Sequence, residues 1–559
     1  MKKSVVLRLG IVLSVVMLLS VTVFSASKMS PFSPYAKPIT LTCVRVSNRG
    51  QQHAPGESGF DNGTLKAIEK LLNVKIKVLW EAAPGDDYNQ KLNLMIASGK
   101  LPDFFAIDGV TQYRTFQALA ENDKLADLTQ AYNKCIGGRA AEDLKPYKGR
   151  QLINATFNGK IYGVPGPPTG YNHNLLWIRP DWLKKVGLPL PKTIDDIKNI
   201  AKAFVEKDPG GNGPGGTIGM CLSYWAGQPI LGKSDSFWAP TPIMNAVGSF
   251  PRAWIKGKDG KVMYGTIAPE TKKGLGILAD WYKEGLIDKS FMTRKTVDEV
   301  TPYAREGKVG LVFCSWWWAY CAQSADPKVM VDWIPVMAPL NAQGKFEHTI
   351  NMDATAFTCV SKKCKYPEAV IKAMNVQYDL EMGAYDDNPA IAAIIKPDIE
   401  YKTIGRTTSP FAGIAAQYDQ LPRISHSIAD YLKTGKLVYY SPKASDDEKK
   451  RYADALRYSK SPDLKDTDGY IAYIGFALAG VMMDAPENED VVIAFSDATD
   501  SYADYWPALQ KLEEEMEVQI VTGQKPLSYF DDFVAQWKKL GGDTITKEVQ
   551  VIVDKRNKK

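Results

Sequence analysis

The sequence predicts an α/β protein whose sheets are flanked by helices, and three consecutive stretches carry that expectation. Ile39 to Val46 (ITLTCVRV) alternates as a strand. Leu65, Ile68, Leu71 and Leu72 then recur at helical spacing, and Val74, Ile76, Val78 and Trp80 alternate again. Tyr88 to Ile107 (YNQKLNLMIASGKLPDFFAI) adds a second helix and a third strand. In it Tyr88, Leu92, Met95 and Ile96 form one apolar stripe, and Gly99 sits where a left-handed cap is needed. Pro102 bars a helical restart, and Phe104, Phe105 and Ile107 make a short buried strand.

The order is βαβαβ, and right-handed crossovers turn it into a parallel sheet with helices on its faces. Ligands of such sheets bind beyond the carboxyl ends of the strands. Here those ends are Ser47 to Asp61, the segment from Glu81 and the segment from Asp108. The first is polar, glycine-rich and longer than the usual βα loop of about two to six residues, which marks it as a working loop.

After Tyr162 to Pro168 (YGVPGPP), read as a crossing between domains, the pattern restarts at Leu175 with a strand, a helix and a proline-bounded turn. Thr193 with Asp196 three residues on predicts a capped helix burying Ile194, Ile197, Ile200, Ala201 and Phe204. A third αβ series runs through Leu275 to Gly285 and Val309 to Phe313. The C-terminal part reads as largely helical, with Ser528 capping a helix that carries Phe530, Val534, Trp537 and Leu540 and closes on Gly541 and Gly542.

Lys2, Lys3 and Arg8 precede an uncharged apolar run from Leu9 to Phe24 and the small residues Ser25, Ala26 and Ser27, the outline of a secretory signal over residues 1–27. The run is shorter than the ~18 residues of a spanning helix, so cleavage is favoured over a permanent anchor. Of 69 Lys and Arg, three lie in this leader, leaving 66 against 63 Asp and Glu. That near-balance, with no basic block interleaved with aromatics, argues against a nucleic-acid partner. Seven cysteines are too few for a disulfide scaffold at this length; Cys314 with Cys321, or Cys359 with Cys364, could bridge, or all could be small buried residues.

His53, His173, His348 and His426 lie far apart and none belongs to a metal-binding spacing. No GxSxG elbow is present, and the GxGxxG string at Gly211–Gly216 and the GxxxxGK string at Gly227–Lys233 lie in poorly periodic, Gly/Pro-rich segments rather than opening a helix after a strand. Neither a cofactor nor a metal is expected. Asp208 to Gly219 (DPGGNGPGGTIG) has the rhythm of a calcium loop but glycines where carboxylates should stand, and reads as a glycine turn. Tryptophans are the more telling signal. Trp316, Trp317 and Trp318 follow a predicted strand and cannot all point to one side, while Trp225, Trp238 and Trp254 lie in poorly periodic segments. Flat aromatic faces suit the apolar faces of sugar rings.

Together these segments resemble the family 1 extracellular solute-binding proteins of carbohydrate ABC importers, in particular their long lipoprotein-like branch. The resemblance is carried by Tyr88–Phe105, FNGKIYGVP (157–165), Ile178–Phe204, DWYKEGLID (280–288), Gly307–Trp318, YPEAVIKAMN (366–375) and Ser528–Val549. It implies a two-lobed periplasmic-binding-protein-like fold (type II), each lobe a mixed sheet flanked by helices. Residues 38–165 would form the first lobe, 166–350 the second, 351–485 a return to the first with helical insertions, and 486–559 C-terminal helices mainly of the second.

Its implied function is capture of an oligosaccharide by hinged closure and delivery to membrane permease subunits, by an extracytoplasmic, monomeric protein that is not an enzyme. The alternative is a secreted carbohydrate-active enzyme, a glycoside hydrolase or polysaccharide lyase, built on the same aromatic platforms. The expected ligand contacts are Glu81, Asp108, Trp225, Trp238, Trp316, Trp317 and Asp353, chosen by their positions at predicted strand ends and crossings. Two departures from the family pattern stand out. The first cysteine, Cys43, lies inside a predicted strand rather than after the leader, which argues against lipid anchoring, and the glycines of the Asp208 loop argue against structural calcium.

Overall fold

A computed structural model describes residues 29–557 except 48–52, 110–111, 169, 223, 225–228, 233–237, 258, 294–296, 323–330, 352–353, 402, 404–407, 415–417, 441–445 and 497. The expected leader therefore lies outside the described residues. In chain order come β1 (Ile39–Val46), α1 (Gly63–Leu72), β2 (Val74–Ala82), α2 (Asp86–Ser98), β3 (Phe104–Asp108) and β4 (Gly163–Gly166). There follow β5 (Leu175–Ile178), α3 (Ile194–Lys207), β6 (Ile218–Met220), β7 (Val309–Cys314), β8 (Ile334–Val336), β9 (Phe346–Ile350) and β10 (Ala356–Val360). Helices α4 (Pro389–Glu400) and α5 (Asp446–Lys460), strand β11 (Asn488–Val492) and helix α6 (Tyr529–Trp537) complete the set.

The chain forms two compact units. Unit 1 draws its described residues from Met1–Thr169, Met352–Tyr418 and Lys555–Lys559, and unit 2 from Gly170–Asn351 and Asp419–Asp554. Residues 419–485, grouped with the first lobe by the sequence reading, thus belong to unit 2. The reason is packing: Tyr470 donates its hydroxyl to Trp333 O at 3.0 Å, and Phe476 lies against Trp316.

Unit 1 is built on a five-stranded sheet in the order β2-β1-β3-β10-β4. The first three strands are parallel, and β10 runs antiparallel to both neighbours, so the sheet is mixed. Alternation sorts its side chains into two layers: Leu41, Cys43 and Phe104 face one core, and Val44, Phe105 and Ile107 the other. The predicted helices close as expected. Asn62 caps α1 by accepting from Leu65 N, and Gly99 ends α2 at φ 66°, with Tyr88 and Leu92 buried.

Unit 2 holds a four-stranded sheet in the order β8-β5-β7-β6, with Leu176, Ile178, Leu311 and Phe313 on one face and Leu175, Trp177, Val312 and Cys314 on the other. Helix α3 opens with the predicted capping box, Thr193 and Asp196 each bonding the other's backbone. Ser528 differs: it makes no side-chain capping bond at the start of α6, and Leu540 is exposed beyond its end, because Gly541 at φ 116° breaks the helical stripe. All seven cysteines are free thiols and all but Cys321 are buried. No helix of the described residues is long and apolar enough to cross a membrane.

Candidate functional site

In unit 1 the carboxyl ends of β1, β2 and β3 bring three side-chain groups to one end of the sheet. Arg45, wholly buried near the end of β1, stands opposite Glu81 of β2 across a register shift. Its Nε lies 3.6 Å from Glu81 Oε2, and its Nη1 donates to Gly59 O at 3.1 Å. The loop after β1 is thereby folded back over the ion pair. A Cβ on Gly59 would meet Glu81 Oε2 and fall 2.8 Å from Arg45 Nη1, so the ends of both side chains would have to shift to admit it.

The same loop carries Glu57, which neighbours the fully buried Asp398 of α4. Burial, and then the neighbouring Asp398 carboxyl, push Glu57 up to about 7. His53, beside them, is held below its ordinary value by burial and by Arg45.

Asp108 is exposed at the end of β3, opposite Ala356 at the start of β10. Its neighbour Gly109 donates to Thr355 O at 2.9 Å, and Thr355 N donates to Gly166 O at 2.9 Å. The ends of β3 and β4 and the start of β10 therefore gather at the edge where the chain leaves unit 1 and returns to it. Asp353 lies outside the described residues. Sequence reasoning missed Tyr147 and Tyr418 nearby: their rings stand 4.8 Å apart, Arg150 lies 5.7 Å over Tyr418, and Tyr147 Oη donates to Pro168 O at 2.7 Å. The signal for them was weak, since the two tyrosines are 271 positions apart in the chain.

In unit 2 the three adjacent tryptophans follow β7 directly. Trp318 is wholly buried, edge-on to Trp238 at 5.6 Å and to Trp333 at 5.7 Å. Trp316 and Trp317 stay half-buried. Trp316 packs on Phe476 at 5.0 Å and stands edge-on to Tyr320 at 5.9 Å, whose ring is 49% exposed. Trp238, expected at the ligand, is instead a core residue: its backbone N donates to Phe313 O at 3.0 Å, and the φ of 60° turns its ring into the cluster around Trp318. Trp254 is likewise core, its Nε1 donating to Tyr502 Oη at 2.9 Å. Trp225 lies outside the described residues.

The Asp208 loop does not fit a cation. Asp208 accepts from Asn212 N at 3.0 Å, from Gly213 N at 2.8 Å and from the Thr217 hydroxyl, and the Thr217 bond first, then these amides, hold its carboxyl below the ordinary range. Gly210 and Gly219 supply none of the side-chain oxygens that calcium would need beside Asp208. Among the described residues no group of three or more His, Cys, Asp or Glu side chains is placed to hold a metal ion.

The ends of β1 to β3 and the turn after β7 thus offer polar side chains in one unit and half-buried aromatic faces in the other. Lipoprotein LipO of Bacillus subtilis is 31% identical over 46% of this chain and 48% of its own. The fructooligosaccharide ABC transporter substrate-binding protein FusA of Streptococcus pneumoniae is 30% identical over 40% of this chain and 41% of its own. The chain spans about half the length of these curated relatives. A solved solute-binding protein from Bifidobacterium longum infantis, described as HMO-binding and ABC-transporter-associated, shares the fold over 94% of this chain and 100% of its own, with a TM-score of 0.55 at 17% identity. The sequence profile described as bacterial extracellular solute-binding protein matches residues 52–379, more than half of the 559 residues, and the chain belongs to that family.

Proposed function

We propose that this protein is the extracytoplasmic solute-binding component of an ABC transporter, capturing an intact oligosaccharide by hinged closure and delivering it to membrane permease subunits as a monomer, without chemistry on the sugar. The observation that carries the reading is the half-buried pair Trp316 and Trp317 at the carboxyl end of β7, where a flat aromatic face is available next to a fully packed tryptophan core. A sugar face burying ~100 Å2 there contributes about 2 kcal/mol. Two such contacts with hydrogen bonds support micromolar affinity, about 8 kcal/mol, after ordering costs. Glu81 and Asp108 would supply acceptors for sugar hydroxyls, and Trp225 and Asp353 remain proposed contacts. FusA, a family relative, is named for fructooligosaccharides, which supports a saccharide ligand.

A ligand held more tightly in the closed state shifts the population toward closure. The test is a thermal-shift screen of the purified chain against oligosaccharides and peptides, with the ligand recovered and sized afterwards. A ligand at a hundredfold excess over its Kd adds about 2.7 kcal/mol to stability and raises the melting temperature. A rise with the saccharide recovered intact supports the reading, and Trp316→Ala then weakens binding by about 2 kcal/mol. Cleaved saccharide, or a response to peptides alone, overturns it.

A further inference from the structure

The cations of helix α5 differ sharply in what they touch. Lys450 is 2.6 Å from both Asp454 and Asp468, and Arg457 is 2.6 Å from Asp454 and 2.7 Å from Asp466. Each is neutralised twice. Arg451, between them in the sequence, has no ion-pair or hydrogen-bond partner among the described residues. Its guanidinium instead lies 4.4 Å over the ring of Phe476, the same ring that supports Trp316 at 5.0 Å. None of its nitrogens is sealed from solvent. Tyr320, edge-on to Trp316, is within its field: burial raises the Tyr320 hydroxyl and Arg451 opposes that rise.

A charge that has partners within reach takes them, so an arginine left unpaired on a helix rich in carboxylates, and held in place by a ring, is positioned rather than idle. Stacking on Phe476 occupies the guanidinium's face and leaves its edge, with N–H donors in a planar fork, open. That fork matches a carboxylate through two parallel bonds, which are about twice as strong as neutral ones. A sugar hydroxyl can use only one at a time. From this arrangement we infer that Arg451 is a specificity-determining residue of the Trp316 platform, and that the saccharide bound there bears a carboxylate, as in a uronic-acid oligomer. The inference rests on the saccharide-binding reading above and narrows its ligand class.

The experiment measures calorimetric affinity for galacturonate and mannuronate tetrasaccharides and for the same oligomers with their carboxyls reduced to alcohols. Wild-type protein is expected to bind a uronate about tenfold or more tighter than its reduced form, by the usual contribution of a hydrogen bond to a charged group. That preference should shrink as salt rises from 20 to ~500 mM. Arg451→Met, whose stem still covers Phe476, should remove the preference, costing the reduced oligomer no more than the one neutral hydrogen bond its hydroxyl can take. Arg451→Lys should keep part of it, since the charge stays but the fork is lost. Unchanged melting temperatures of both variants without ligand confirm that the fold is intact. Equal affinity for uronate and reduced oligomers, or a preference that survives in Arg451→Met, overturns the inference while leaving saccharide binding standing. Failure of every saccharide to bind overturns both readings.

Discussion

Acid should unfold unit 2 through two histidines. His173 and His348, both in unit 2, stack with ring centroids 3.8 Å apart and planes 18° from parallel, each almost fully buried and with no ring nitrogen hydrogen-bonded. Burial holds His348 down to about 4 despite Asp490 Oδ1 at 3.6 Å from its Nε2, and burial followed by the His348 charge holds His173 well below its ordinary value. The unfolded chain takes up a proton near 6.5, so above that pH the pair's full contribution is present. As the pH falls from about 6.5 toward 4 the unfolded state binds protons that the folded state refuses, and stability is lost across that window. For His348 alone the loss is about 3 kcal/mol at 1.36 kcal/mol per unit, and His173 adds to the same slope.

Urea unfolding followed by tryptophan fluorescence at pH 7, 6, 5 and 4.5 measures it, with His348→Phe as the comparison because phenylalanine keeps the stack without a titrating group. The variant should lose about 1.4 kcal/mol less per pH unit between 6 and 4.5. Parallel losses in wild type and variant would refute the reasoning, since they would mean the imidazole reaches solvent in the folded state.

Three further outcomes follow from other groups. Glu57→Gln should stabilise the protein at pH 8 relative to wild type and make little difference at pH 5: a carboxyl raised to about 7 costs stability as pH rises from 4.5 through 7, and the amide cannot ionise against Asp398. Melting curves at the two pH values decide it. Gly59→Ala should destabilise by about 1–3 kcal/mol, since its Cβ forces the ends of the Arg45–Glu81 pair to shift. A melting temperature equal to wild type would show that the loop can shift. Calcium and EDTA should leave the melting temperature unchanged, because Gly210 and Gly219 stand where the loop would need further oxygen ligands; a calcium-dependent rise would contradict that donor set.

The candidate site was only partly legible before the fold. Trp316 and Trp317 could be singled out because three adjacent tryptophans must diverge, but which one goes inward depends on Trp238 and Trp333, which reach Trp318 from distant parts of the chain. Trp238 itself was misplaced for that reason: its segment has no period to read, and a single backbone bond to Phe313 O buries it. Glu81 was placed correctly at a strand end, yet its pairing with Arg45 rests on a shift in the β1–β2 register that neither strand's pattern displays. Arg451 stands in a run of charges whose sequence pattern does not show which cation lacks a partner.

What the sequence determined alone is local: the α1, α2 and α3 helices, the caps at Gly99 and Thr193, and the strands they separate, because propensity, capping and periodicity act within a few residues. What only the tertiary structure decided is which polar and aromatic groups remain unsatisfied once the chain has packed. That property belongs to contacts between residues tens or hundreds of positions apart, such as Glu57 with Asp398 or His173 with His348, whose free energy no local pattern records.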